Sequence, residues 1–62
     1  MKAEFYNPAK GERFTPEAVT LNGVEGAIWT KYDLQHGRWQ HEGKKFFPEG
    51  ATRNEIIEWE YA

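Results

Sequence analysis

The sequence predicts an all-β or β-rich α+β domain: a small antiparallel curled sheet or SH3-like barrel of five to six short strands. Three observations carry this. The chain of 62 residues holds four Phe, three Tyr and three Trp, but only seven Val, Ile or Leu and six Ala. Helix bundles build their seams from Leu and Ala, whereas rings and β-branched side chains suit a pleated sheet. The dipeptide Asn22-Gly23 sits between Val19-Thr20-Leu21 and Val24-Glu25-Gly26, a strong local signal for a two-residue hairpin. Turn signals at Asn7-Pro8-Ala9-Lys10-Gly11, Glu42-Gly43 and Pro48-Glu49-Gly50 separate further short strands.

The elements follow in order. Lys2 to Tyr6 reads as a short strand, and Asn7-Pro8-Ala9-Lys10-Gly11 as a turn, since Pro presets φ and Gly permits a positive one. Glu12 to Phe14 returns antiparallel. Thr15-Pro16-Glu17-Ala18 has the form of an N-cap followed by proline at the first helical position, so one helical turn is expected there. Strands flank Asn22-Gly23, the second running to Tyr32, and Asp33 to Gly37 forms a loop. Arg38–His41 and Lys44–Phe47 flank Glu42-Gly43, a second hairpin of weaker type, and Pro48-Glu49-Gly50 ends that strand. The tail carries two conflicting signals. Thr52-Arg53-Asn54-Glu55 matches a capping box, but Ile57, Trp59 and Tyr61 alternate with Glu58 and Glu60. The alternation favours a turn at 52–55 and a final strand from Ile56, with a helix packed on the sheet as the alternative.

An internal echo relates 11–20 to 43–52, where Gly, Phe, Pro, Glu and Thr recur at matching places. Either one strand–turn–strand unit occurs twice, or the match is coincidence in a composition-biased chain.

Strand pairing assigns faces. A two-residue loop at Glu42-Gly43 sets Trp39 opposite Phe46 on a core face. Arg38, Gln40, Lys45 and Phe47 then share a basic outer face bearing one ring. Strict alternation from Asn22-Gly23 turns Val24, Ile28 and Tyr32 inward and Glu25, Trp29 and Lys31 outward. A β-bulge at Gly26 would reverse that and bury Trp29, and burial of both sheet faces would bury it too; one of these two is favoured over an outward Trp29. Trp29, Lys31, Arg38, Gln40, Lys45 and Phe47 are therefore the candidate interaction surface.

Length and composition bound the function. Sixty-two residues form one small domain, 1–62. The absence of cysteine and serine excludes disulfides, thiolate zinc sites and Ser or Cys nucleophiles. No apolar run reaches membrane-span length, and Met1-Lys2-Ala3-Glu4 lacks the apolar core of a secretory signal, so cytoplasm is the default expectation. Net charge is −2, hiding a mildly basic middle (Lys31, Arg38, Lys44, Lys45) and an acidic tail (Glu49, Glu55, Glu58, Glu60).

Chemistry is sparse. Asp33, His36, His41 and Glu42 fall within ten residues, but their spacing matches no metal motif and fits surface histidines equally. Glu58 and Glu60 would lie on one strand face at a separation used by glycosidase carboxylates, yet any solvated strand gives the same pattern. Gly23 and Gly26 form only a GxxG pair within a hairpin, not between helices. No catalysis, cofactor or metal is expected. Ring-rich strands with pairable edges point to a protein-interaction module of adaptor or inhibitor type, with an unidentified protein partner and a homodimer through an edge strand as one possibility. The alternative is a small β domain for single-stranded nucleic acid, stacking bases on Trp39 or Phe47 beside Lys31, Arg38, Lys44 and Lys45. Net negative charge opposes it.

Overall fold

The computed structural model describes residues 4–59. It is strand-rich and antiparallel, as composition and turn signals require, but the sheet stays open and does not close into a barrel. Four strands run in meander order: β1 (Phe5–Asn7), β2 (Glu12–Leu21), β3 (Val24–Gln35) and β4 (Arg38–Pro48). One helix follows, α1 (Arg53–Ile57). Fewer and longer strands replace the expected five or six.

Two turns set the register. At Asn22-Gly23 both central residues take positive φ, 49° and 80°, the condition of a type I′ turn that matches strand twist. Leu21 pairs with Val24 and Val19 with Gly26, as the dipeptide predicts. The second hairpin forms at His36-Gly37, where φ is 53° and 76°, and not at Glu42-Gly43. Asp33 to Gln35 extends β3 instead of forming a loop, so Leu34 pairs with Trp39. Glu42-Gly43 lies within β4: Lys31 pairs with Gly43 and Tyr32 with His41, leaving Glu42 as a one-residue bulge.

Thr15 to Ala18 is strand and not a helical turn. Pairing with β3 overrides the local capping signal. Pro16 fits because β1 pairs only as far as Phe14, so no neighbour on that side needs an N–H.

The tail folds as its capping box dictates and not as its alternation suggests. The Thr52 hydroxyl accepts the Glu55 N–H at 3.2 Å, and the Glu55 carboxylate accepts from that hydroxyl at 3.3 Å. The expected final strand from Ile56 is replaced by helix through Ile57, and Trp59 N–H bonds the Ile56 carbonyl at 3.2 Å. Residues 60–62 lie outside the described residues, as do 1–3, where the first strand was expected to begin.

The helical segment covers one face of the sheet. Phe14, Ala27, Trp29 and Phe47 on that face meet Ala51, Ile56 and Trp59 in the core, with Phe5 and Ile57 at its margin. Phe5 stacks on Phe14 at 4.8 Å, and Phe47 meets Trp59 edge-on at 6.0 Å. Rings do supply the interior.

The face assignment around Asn22-Gly23 is inverted. Trp29 is 1% exposed, whereas Val24 is exposed and Ile28 and Tyr32 are only half-buried on the other face. No bulge causes this, because Gly26 stays in register with Val19. The helix covers the side that carries Phe14 and Trp29, which alternation alone does not choose.

The 11–20 and 43–52 segments fold differently. Phe14 is buried under the helical segment, while its counterpart Phe46 lies on the opposite face beside Ile28. Pro16 sits within a strand and Pro48 ends one.

Candidate interaction face

With α1 on one side, the other side of the sheet has no covering layer among the described residues. Register places its side chains in rows. Tyr6 pairs with Arg13, Arg13 with Tyr32, and Tyr32 with His41, so one row crosses all four strands. Leu34 and Trp39 form the next row toward the His36-Gly37 turn. Thr15, Thr30 and Lys44 lie on the other side, then Glu17, Ile28 and Phe46, then Val19 with Gly26 and Pro48, and finally Leu21 with Val24.

The aromatic end is organised around Arg13. Its guanidinium lies 5.8 Å from the Tyr32 ring centre and 5.9 Å from that of Trp39, a cation–π arrangement. Tyr6 meets Trp39 edge-on at 5.6 Å, and Tyr32 meets His41 at 5.9 Å. Arg13 also approaches Glu4 at 3.6 Å, but both side chains are exposed, so that pair is screened and weak. The rings thus orient the arginine more than the carboxylate does.

The opposite end is aliphatic. Leu21 and Val24 remain 47% and 48% exposed, and at the aromatic end Leu34 and Tyr6 remain 46% and 51% exposed. Charge on the face balances: Arg13 and Lys44 stand against Glu17 and Glu4. Tyr, Trp and Arg are the residue types enriched at protein-binding hot spots, whereas Leu and Val are not.

The sequence-predicted surface is divided by the fold. Trp29 and Phe47 belong to the core, at 1% and 9% exposure. Burial by the helical segment, which the final-strand reading did not supply, removes both. Lys31 is held by the buried Glu12 at 3.0 Å. Arg38, Gln40 and Lys45 are exposed, but on the side that carries α1, and Lys45 lies over the Phe47 ring at 5.4 Å. No single basic face brings the six together.

Sequence reasoning missed Tyr6, Arg13, Tyr32, Trp39 and His41 as a group. The signal was present in Gln35-His36-Gly37-Arg38. A turn at His36-Gly37 would have paired Leu34 with Trp39 and left Glu42 as the surplus residue.

A second polar group lies on the helix side. Glu12, Lys31, Glu42 and Lys10 line an open groove with Ile57, Glu58 and Trp59. The bulge brings Glu42 against Asp33. A hydrogen bond that protonated Glu42 donates to the Asp33 carboxylate, then the charge of Asp33 and then desolvation raise the Glu42 pKa, while Lys31 and His41 pull it back. Among the described residues, no three His, Asp or Glu side chains gather as a metal-ligand set. The Glu58–Glu60 carboxylate pair extends outside the described residues.

No helix among the described residues is long and apolar enough to cross a membrane. No protein family, curated protein or solved structure matches the chain.

Proposed function

We propose that this chain is a small, non-catalytic protein-interaction module of the cytoplasm, and that the open sheet face is its working surface. One observation carries the reading. A continuous row of Tyr6, Arg13, Tyr32 and His41, with Trp39 beside it, lies on a face that α1 does not cover. Such side chains offer large, stiff contact area at low entropic cost, and Arg13 is already held by rings. The neighbouring aliphatic rows extend the same surface.

The test compares two sets of variants in affinity capture from native lysate. Trp39→Ala and Leu21→Glu alter the open face. Arg38→Glu and Lys45→Ala alter the helix side. Loss of the same captured protein with the first pair and retention with the second supports the assignment. The reverse pattern moves the working surface to the helix side and refutes it. Sedimentation of the pure chain addresses self-association. An edge-strand homodimer would use β4 or the outer edge of β2, and it should resist Trp39→Ala.

Arg13 over the Tyr32 and Trp39 rings, with Lys44 one row away, favours single-stranded nucleic acid as the second reading. Tryptophan quenching by oligonucleotides at low salt, lost in Trp39→Ala and weakened by added salt, would establish it.

A further inference from the structure

We propose that Asn22 is a site of spontaneous modification, ageing to isoaspartate and aspartate within the folded chain. In this reaction the backbone nitrogen of the following residue attacks the asparagine Cγ. A C–N bond forms, the Cγ–Nδ2 bond breaks, and the amide nitrogen leaves as ammonia with the proton from the attacking N–H. The product is a five-membered succinimide. Water then opens it at either carbonyl, giving isoaspartate, whose main chain runs through the side-chain carbon, or aspartate. No oxidant or enzyme is required.

The chain has three asparagines and one aspartate that could enter this chemistry, and their surroundings differ. Asn7 precedes Pro8, which has no N–H to attack with. Asn54 precedes Glu55, whose N–H is engaged by the Thr52 hydroxyl at 3.2 Å. Asp33 precedes Leu34, whose N–H is engaged by the Gly11 carbonyl at 2.9 Å. Asn22 alone precedes glycine. Asn22 and Gly23 are exposed, and a side chain built on Gly23 would meet nothing within 4 Å. In a type I′ turn the bonded donor belongs to the residue after the two central ones, so the Gly23 N–H is not part of the turn's closing bond. The same dipeptide that makes the hairpin thereby exposes it to chemistry.

The product changes the hairpin in two ways. Isoaspartate inserts one backbone carbon into a turn of fixed length, and either product makes the chain one charge more negative. Both act beside Leu21 and Val24, the aliphatic end of the open face. The isoaspartyl form is also the substrate class of carboxyl methyltransferases that act on isomerised aspartate.

The experiment incubates the full-length chain at neutral and mildly alkaline pH and follows it by peptide mapping and isoaspartyl methyl acceptance. The expected result is an amide-to-acid mass change confined to the peptide containing Asn22, with methyl acceptance rising in parallel. Asn22→Gly, which keeps a glycine-compatible type I′ turn, should abolish both signals. Conversion of Asn22 only in urea-unfolded chain, or conversion of Asn54 at an equal rate in the folded chain, overturns the proposal. The comparison among Asn7, Asn22 and Asn54 is internal to one sample, so it stands even if the variant folds poorly.

Discussion

Gly26→Ala is the sharpest test of how β3 and β4 meet. A Cβ at position 26 would lie 2.8 Å from Phe46 Cζ and 2.9 Å from Phe46 Cε1, and closer still to the Phe47 carbonyl oxygen. The ring can turn, but the carbonyl belongs to the neighbouring strand. Relief therefore requires a backbone shift in β4. Overpacking of this kind costs about 1–3 kcal/mol, and a backbone clash belongs at the upper end, about 3 kcal/mol. Total stability at this size is about 3–9 kcal/mol from the usual per-residue range. At about 4–8 °C per kcal/mol for a small domain, the melting temperature should fall by about 12–24 °C. Circular dichroism melts of the wild type, Gly26→Ala and Gly50→Ala would measure it. Gly50 has nothing within 4 Å of a built side chain and no positive φ, so its substitution should be neutral or stabilise by up to about 1 kcal/mol. A Gly26→Ala melt within about 2 °C of wild type, well under 1 kcal/mol on the same scale, would refute the packing argument.

Other outcomes follow from the same geometry. Thr52→Ala removes the acceptor for the Glu55 N–H and should cost about 1 kcal/mol in urea unfolding. Ile56→Ala opens the core under α1, where Ile56 is 1% exposed, and should cost about 2–5 kcal/mol by the same assay. Glu42 has a raised pKa in the folded chain because Asp33 shares a hydrogen bond with it and repels its charge. The folded state therefore holds that proton more tightly, and the contribution is present below the ordinary carboxylate range and lost as pH rises through the raised value. Stability measured across mildly acidic pH should fall on that limb, and Glu42→Gln should flatten it and stabilise the chain at neutral pH. A Glu42→Gln curve parallel to wild type would contradict this.

What could be read from the sequence follows a physical pattern. Asn22-Gly23 fixes its turn by backbone preference alone, so the β2–β3 register was legible to the residue pair. That rings supply the interior was legible too, because the chain has few aliphatic competitors, but which rings was not: Trp29 and Phe47, expected on the interaction surface, are buried. Long-range choices were not. The capping box at Thr52 and the alternation from Ile57 to Tyr61 gave opposite answers. Ile56 and Trp59, three apart on one side of a helical turn, settle it only once the sheet face they cover is known. That cover also decides which side of β3 is inside. His36-Gly37 reads from the sequence as the end of a loop from Asp33 and not as a two-residue turn, because His is a less familiar left-handed residue than Asn, and the Glu42-Gly43 pair resembles a hairpin more closely. One misplaced turn then moved Trp39 to the core and Phe47 to the surface.

The surplus residue in β4 sets a parity. On the turn side of Glu42, odd-numbered Trp39 and His41 belong to the open face. Beyond it, odd-numbered Phe47 belongs to the core. An unbulged strand that still contained Glu42 would have to choose, giving up either its core ring or its surface rings. Excising Glu42 should therefore leave a regular strand, with Trp39 and His41 still on the open face and Phe47 still in the core, because both halves of β4 keep their partners on β3. One position with no cross-strand partner lets a single ribbon serve two opposite environments.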